Sequence, residues 1–123
     1  MAVKTTSLET SKMLKEARFR QDTEYHFYRM SSNEKPFIGS RDITWQNYII
    51  FAAPTTDELL EELPRVIQDY TLRIGRYDSE YEIWYQRFAE RASQKFIMNT
   101  YDKDLPEALA QMWLWLKKEG LIK

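Results

Sequence analysis

His26 is the only histidine in the chain. One imidazole can carry a proton near neutral pH. Without a second, a multi-histidine metal site and a His-Glu-x-x-His motif are excluded. On a strand among aromatic residues, the simpler role for His26 is structural. There is no cysteine, so thiol catalysis, disulfides and thiolate zinc sites are excluded as well.

Carboxylates offer more. Asp57 and Glu61, and likewise Glu58 and Glu62, are four residues apart and share a helix surface. A metal or a basic partner would suit them, but acids in a first turn also simply favour a helix N-terminus. Glu80 with Glu82, and Asp102 with Asp104, have the spacing of one strand face. Paired carboxylates do acid–base work when their environments separate their pKa values, and nothing in the sequence separates these. Ser32-x-x-Lys35 matches a serine–lysine nucleophile pattern, but it sits in a polar stretch without a supporting motif. The glycines at 39, 75 and 120 form neither a phosphate-binding loop nor a dinucleotide fingerprint.

Between Arg65 and Lys95, bases alternate with rings: Arg73, Arg76, Tyr77, Tyr81, Trp84, Arg87 and Arg91. Such a mixture on a sheet can bind single-stranded nucleic acid. The nearby acids Asp69, Asp78, Glu80, Glu82 and Glu90 nearly cancel those bases. The whole chain is balanced too, with 18 basic and 19 acidic residues, whereas phosphate binding usually needs a basic excess.

The chain has 123 residues, 43% of them hydrophobic and 30% charged. That composition predicts one globular domain over residues 1–123, able to bury a core without disulfides or a structural metal. The start of the chain lacks an apolar signal core. The longest apolar run, Tyr48 to Ala53, is far short of the roughly 20 residues a membrane-spanning helix needs. The expectation is a soluble, cytoplasmic protein.

Periodicity supplies the elements. Thr10, Met13, Leu14 and Ala17 share one face of a helix from about Ser7 to Ala17, with Thr6 and Glu9 at capping-box spacing. Thr23 to Met30 and Trp45 to Phe51 read as strands, and Ser31 to Asp42, with Pro36 and Gly39, as a loop. A second helix follows Pro54, with Thr55 and Glu58 as its capping box. Pro64 must kink or break it near Leu63, after which the apolar pattern of Val66, Ile67 and Tyr70 allows a second short helix. Thr71 to Tyr77 and Glu80 to Phe88 flank Asp78-Ser79 as a hairpin, and Lys95 to Thr100 adds a third strand. Leu72, Ile74, Tyr81, Ile83 and Tyr85 have the parity of a buried face. A last helix begins at Asp104, with Glu107 at capping-box spacing and a core stripe of Leu105, Leu109, Met112 and Leu116. Lys117 and Lys118 favour the end of its dipole, and Gly120 stops it, followed by Leu121. The sum is an α+β fold: one largely antiparallel sheet of about five strands with three helices, in the order α-β-β-α-β-β-β-α.

Three blocks carry a resemblance: Ser7 to Ala17, Ala53 to Pro64, and Leu105 to Ile122, about a third of the chain. They resemble a group of small uncharacterised proteins carried by phages and prophages of gut bacteria. Members often have glycine after the first helix, where this chain has Arg18. The blocks coincide with helix starts and apolar faces, so the resemblance concerns a scaffold. It implies a phage origin and brings no catalytic, cofactor-binding or metal-binding residue with it.

Two residues break their own patterns. Trp84 shares parity with Glu82 and Gln86, so it points away from a core that receives Ile83. Leu114 lies opposite the Leu105-Leu109-Leu116 stripe, beside Glu107 and Lys118. Exposed together they would mark an interface; covered by another element they would be ordinary packing. The leading expectation is a non-enzymatic phage accessory protein that binds a host protein or itself through Trp84 and Leu114, without a cofactor. The alternative is a nucleic-acid-binding module using the 71–100 strands, and a third class is a small nucleotide-binding protein or carboxylate enzyme.

Overall fold

The computed structural model describes residues 4–29, 36–40, 48–89 and 92–123. Three helices, α1 (Leu8–Glu16), α2 (Thr56–Glu62) and α3 (Leu105–Lys118), combine with seven strands: β1 (Tyr25–Arg29), β2 (Phe37–Ser40), β3 (Tyr48–Ala52), β4 (Val66–Ile67), β5 (Tyr70–Tyr77), β6 (Glu80–Ala89) and β7 (Ala92–Asp102). The class is α+β, as expected. The single five-stranded sheet is not: the strands form two antiparallel sheets, ordered β2-β1-β3 and β4-β5-β6-β7. The element order is α-β-β-β-α-β-β-β-β-α.

Both extra strands arise where punctuating residues suggested something else. The expected loop holds β2, whose Phe37 and Ile38 pair with Tyr28 and Phe27 on the edge of β1. Tyr28 stacks on Phe37 and donates its hydroxyl to the Ser40 carbonyl at 2.8 Å. A partner's free edge thus outweighs the Pro36 and Gly39 signals. The expected second short helix after Pro64 is instead β4. Gln68 and Asp69 both take positive φ, 48° and 74°, and fold Val66-Ile67 back on Tyr70-Thr71. Two successive residues in that region are what a tight two-residue hairpin requires. Met30, the Ser32-x-x-Lys35 motif, Trp45, Asn47, Glu90 and Arg91 lie outside the described residues.

The helix ends explain themselves chemically. Thr55 and Glu58 form the expected capping box on α2. On α1 the cap is Ser7, one residue later than expected, with its hydroxyl accepting from the Thr10 amide; Thr6 turns inward to Ser11 at 2.6 Å. Both α1 and α3 end in the Schellman arrangement. At α3, the Gly120 and Leu121 amides donate to the Lys117 and Leu116 carbonyls, with Gly120 at φ 72°. At α1, the Arg18 and Phe19 amides donate to the Lys15 and Leu14 carbonyls, and Arg18 takes φ 68°.

The main core lies between α3, α2, α1 and the inner face of the four-stranded sheet. Leu14, Phe19, Leu59, Leu63, Ile83, Tyr85, Leu109, Met112, Trp113 and Leu116 are buried there. Phe19 meets Trp113 edge to face, ring centres 5.0 Å apart. A smaller cluster of Phe27, Phe51 and Ala53 underlies the three-stranded sheet.

Candidate functional site

The ladder between β5 and β6 fixes which residues share a face. Ile74 faces Ile83 and Leu72 faces Tyr85; Ile83, Tyr85 and Leu72 pack into the core beneath the helices, while Ile74, of the same parity, stays 42% exposed at the strand edge. The alternate set comprises Arg73, Gly75 and Tyr77 on β5, Glu82, Trp84 and Gln86 on β6, and Asn99 and Tyr101 on β7. It forms the outer face, on which no described helix packs. Trp84 therefore stands where its parity put it.

Trp84 is not loose on this face. A Cβ added at Gly75 would lie 3.1 Å from two adjacent carbons of its six-membered ring, so the far edge of the indole reaches to the glycine. Its Nε1–H donates to the Gln86 side-chain oxygen at 3.2 Å. Next to it, Glu82 is only 9% exposed, which parity alone does not predict for a carboxylate on the face away from α3. Its carboxylate accepts from Asn99 Nδ2 at 2.7 Å and from the Tyr101 hydroxyl at 2.9 Å. Buried charge is tolerated when hydrogen-bonded in this way. The result is a hydrogen-bonded polar–aromatic centre, edged by the exposed Tyr77 and Tyr101.

Asn99, Tyr101 and Gly75 were not singled out from the sequence. Asn99 and Tyr101 alternate along one strand and share a parity, which is a usable signal. The predicted strand, however, stops at Thr100, whereas β7 runs to Asp102.

Leu114 stands elsewhere. Its helix packs on the inner face of the same sheet, so Leu114 and Trp84 lie on opposite sides of that layer and share no surface. Leu114 is half-buried against the main core, because α1 sits on this side of α3. It lines a groove of about 410 Å³ with Met13, Ala17, Glu16, Lys117 and Lys118.

The other chemically interesting residues have structural partners. His26 is buried, and its Nε2–H donates to the Gln21 carbonyl at 2.6 Å. In the α2 acidic cluster, Glu61 and Glu62 pair with Arg20 at 3.1 and 2.6 Å, while Glu58 caps its own helix and accepts the Glu24 amide. Burial works against the Arg20 charge and is the largest single effect. The hydrogen bond Arg20 donates to Asp22 and the charges of Glu62, Asp22 and Glu58 outweigh it and raise the pKa. Asp102 accepts from the Asp104 amide and from Gln111, and Asp104 pairs with Lys4 at 3.2 Å. The expected capping box on α3 is absent: Asp104 makes no side-chain cap bond, and Glu107 turns to α1 instead, accepting from the Ser7 amide and the Thr10 hydroxyl. Among the described residues, no three His, Cys, Asp or Glu side chains converge as a metal site, and no helix is long and apolar enough to cross a membrane.

The base–ring mixture of the meander does not converge either. Arg73, Tyr77 and Trp84 belong to the outer face, whereas Arg76 lies over the Tyr81 ring and Arg87 over the Tyr70 ring on the inner parity. Comparison with known protein families, with curated proteins and with solved structures found no match.

Proposed function

We propose that the chain is a non-enzymatic phage accessory protein that binds another protein through the outer face of its four-stranded sheet, with Trp84 as the anchor. The observation carrying this reading is the fixed indole. It is partly exposed, seated on Gly75 and tied to Gln86. Trp and Tyr dominate interface energetics, and a side chain already held in one rotamer loses little further entropy on binding. Tyr77 and Tyr101, 73% and 48% exposed, widen the contact. The buried Glu82 at its centre disfavours phosphate, as does the division of the basic residues between two faces. Leu114 is the weaker half of the expected pair, since it already packs against the core.

The test is capture from bacterial lysate by tagged chains, with and without nuclease, comparing Trp84→Ala with Leu114→Ala. One protein retained with nuclease, lost on Trp84→Ala and kept on Leu114→Ala, is the expected result. Capture abolished by nuclease would put the nucleic-acid reading first. Capture unaffected by Trp84→Ala would remove Trp84 from the interface.

A further inference from the structure

We infer that the free edge of β5 receives an extended acidic peptide as an added strand. Among the described residues, β4 covers only Tyr70 and Thr71 of β5. Beyond Leu72, whose amide is taken by Arg65, the strand continues from Arg73 to Tyr77 with β6 as its one described strand partner. The direction of its free groups follows from one bond. The Leu72 amide donates away from β6, to the Arg65 carbonyl at 2.8 Å. Alternation then points the N–H and C=O of Ile74 and Arg76 the same way, away from β6, where no described strand pairs with them. Such groups form a template for another strand.

Natural edges are commonly blunted, and the opposite edge of this sheet shows how. The pairing of β7 with β6 shifts register between Trp84 and Gln86, a distortion that breaks a regular template. The β5 edge has no such shift along its ladder with β6. It also presents apolar surface, with Ile74 42% exposed. At the end of the free stretch, Leu60, Leu63 and Leu72 line a cavity of about 530 Å³ with Asp57, Glu61 and Arg65.

Charge selects the occupant. Tyr70–Tyr77 carries Arg73 and Arg76 and no acid. Two copies joined edge to edge would set like charges on adjoining strands, the two Arg73 on one face and the two Arg76 on the other, an unfavourable arrangement. An acidic partner strand is complementary. Running antiparallel to β5, it passes Arg76 first and Ile74 two residues later. The side chains opposite these positions share their face, so the recognised pattern is acid, any residue, apolar residue, read from N- to C-terminus. Ile74 and Arg76 belong to the inner parity, so this inference does not rest on the Trp84 face.

The probe is a fluorescein-labelled eight-residue peptide with glutamate and valine two apart in a threonine background. Its control has lysine for the glutamate. Anisotropy should show saturable binding of the glutamate peptide at least 5-fold tighter than the control. Arg76→Glu should reverse that preference, and Trp84→Ala should leave it unchanged. Amide hydrogen exchange at Ile74 and Arg76 should slow when the peptide is present. Arg76→Glu alters one exposed side chain, and its thermal unfolding verifies that the fold is kept; Arg76→Gln, which should abolish the preference, is the second variant. Equal binding of both peptides, or no saturation at millimolar concentration, would overturn the inference. A dimer in light scattering that Ile74→Lys dissolves would overturn it too, by assigning the edge to a second copy.

Discussion

Glu107, in the first turn of α3, accepts the Ser7 amide at the start of α1. A residue spaced to cap its own helix caps a neighbouring one, and its second oxygen takes the Thr10 hydroxyl. The carboxylate thus meets the unsatisfied amides and the positive end of the α1 dipole. Glu107→Ala is expected to destabilise the protein by about 1–2 kcal/mol. Asp104→Ala, which removes only an exposed pair with Lys4, should cost about 0.5 kcal/mol or less. Denaturant melts of the two variants decide this; equal effects would show that the contact between helices contributes nothing.

Arg18 ends α1 at φ 68°, a conformation that strains a residue bearing a Cβ. Arg18→Gly should raise stability by about 0.5–1 kcal/mol and increase the thermal midpoint. The mirror experiment is Gly120→Ala, at φ 72° with open space around the added carbon. It should lower stability by about 1 kcal/mol through backbone strain alone. A destabilised Arg18→Gly variant would contradict this account.

Gly75 holds the indole of Trp84. Gly75→Ala places a methyl 3.1 Å from the ring and should displace it, at a cost of about 1 kcal/mol. The Trp84 indole N–H resonance should shift, and partner capture should weaken as it does for Trp84→Ala. An unmoved resonance would show that the ring is not seated on the glycine.

Tyr85 is buried, and burial pushes its hydroxyl well above the ordinary tyrosine value of 10.0. The folded state therefore holds this proton more tightly than the unfolded chain. The associated stability is fully present below pH 10.0 and is lost as pH rises above it, by up to about 1.4 kcal/mol per pH unit. Tyr85→Phe should flatten that alkaline decline. At neutral pH it should cost about 1–2 kcal/mol, because the 2.7 Å bond to the Pro64 carbonyl is lost. Urea midpoints between pH 8 and 11 read both effects, and parallel declines in the two proteins would remove Tyr85 from the explanation.

Features that depend on near neighbours along the chain are legible in the residues alone. The α2 capping box, the Asp78-Ser79 hairpin, the stripe of α3 and the parity of Trp84 are local: three- and four-residue helical spacing and two-residue strand alternation place them before any long-range contact forms. Features that depend on distant partners are legible only in the fold. Strand β2 exists because the edge of β1 accepts it. Glu107 leaves its own helix because the start of α1 lies within reach. Leu114 is half-buried because α1 covers that side of α3. Glu82 is buried because Asn99 and Tyr101, 17 and 19 residues away, close over it. Local pattern states which face a side chain joins; whether that face meets water, a helix or another strand is settled by contacts between segments far apart in sequence. The division of the strands into two sheets belongs to that second kind of information.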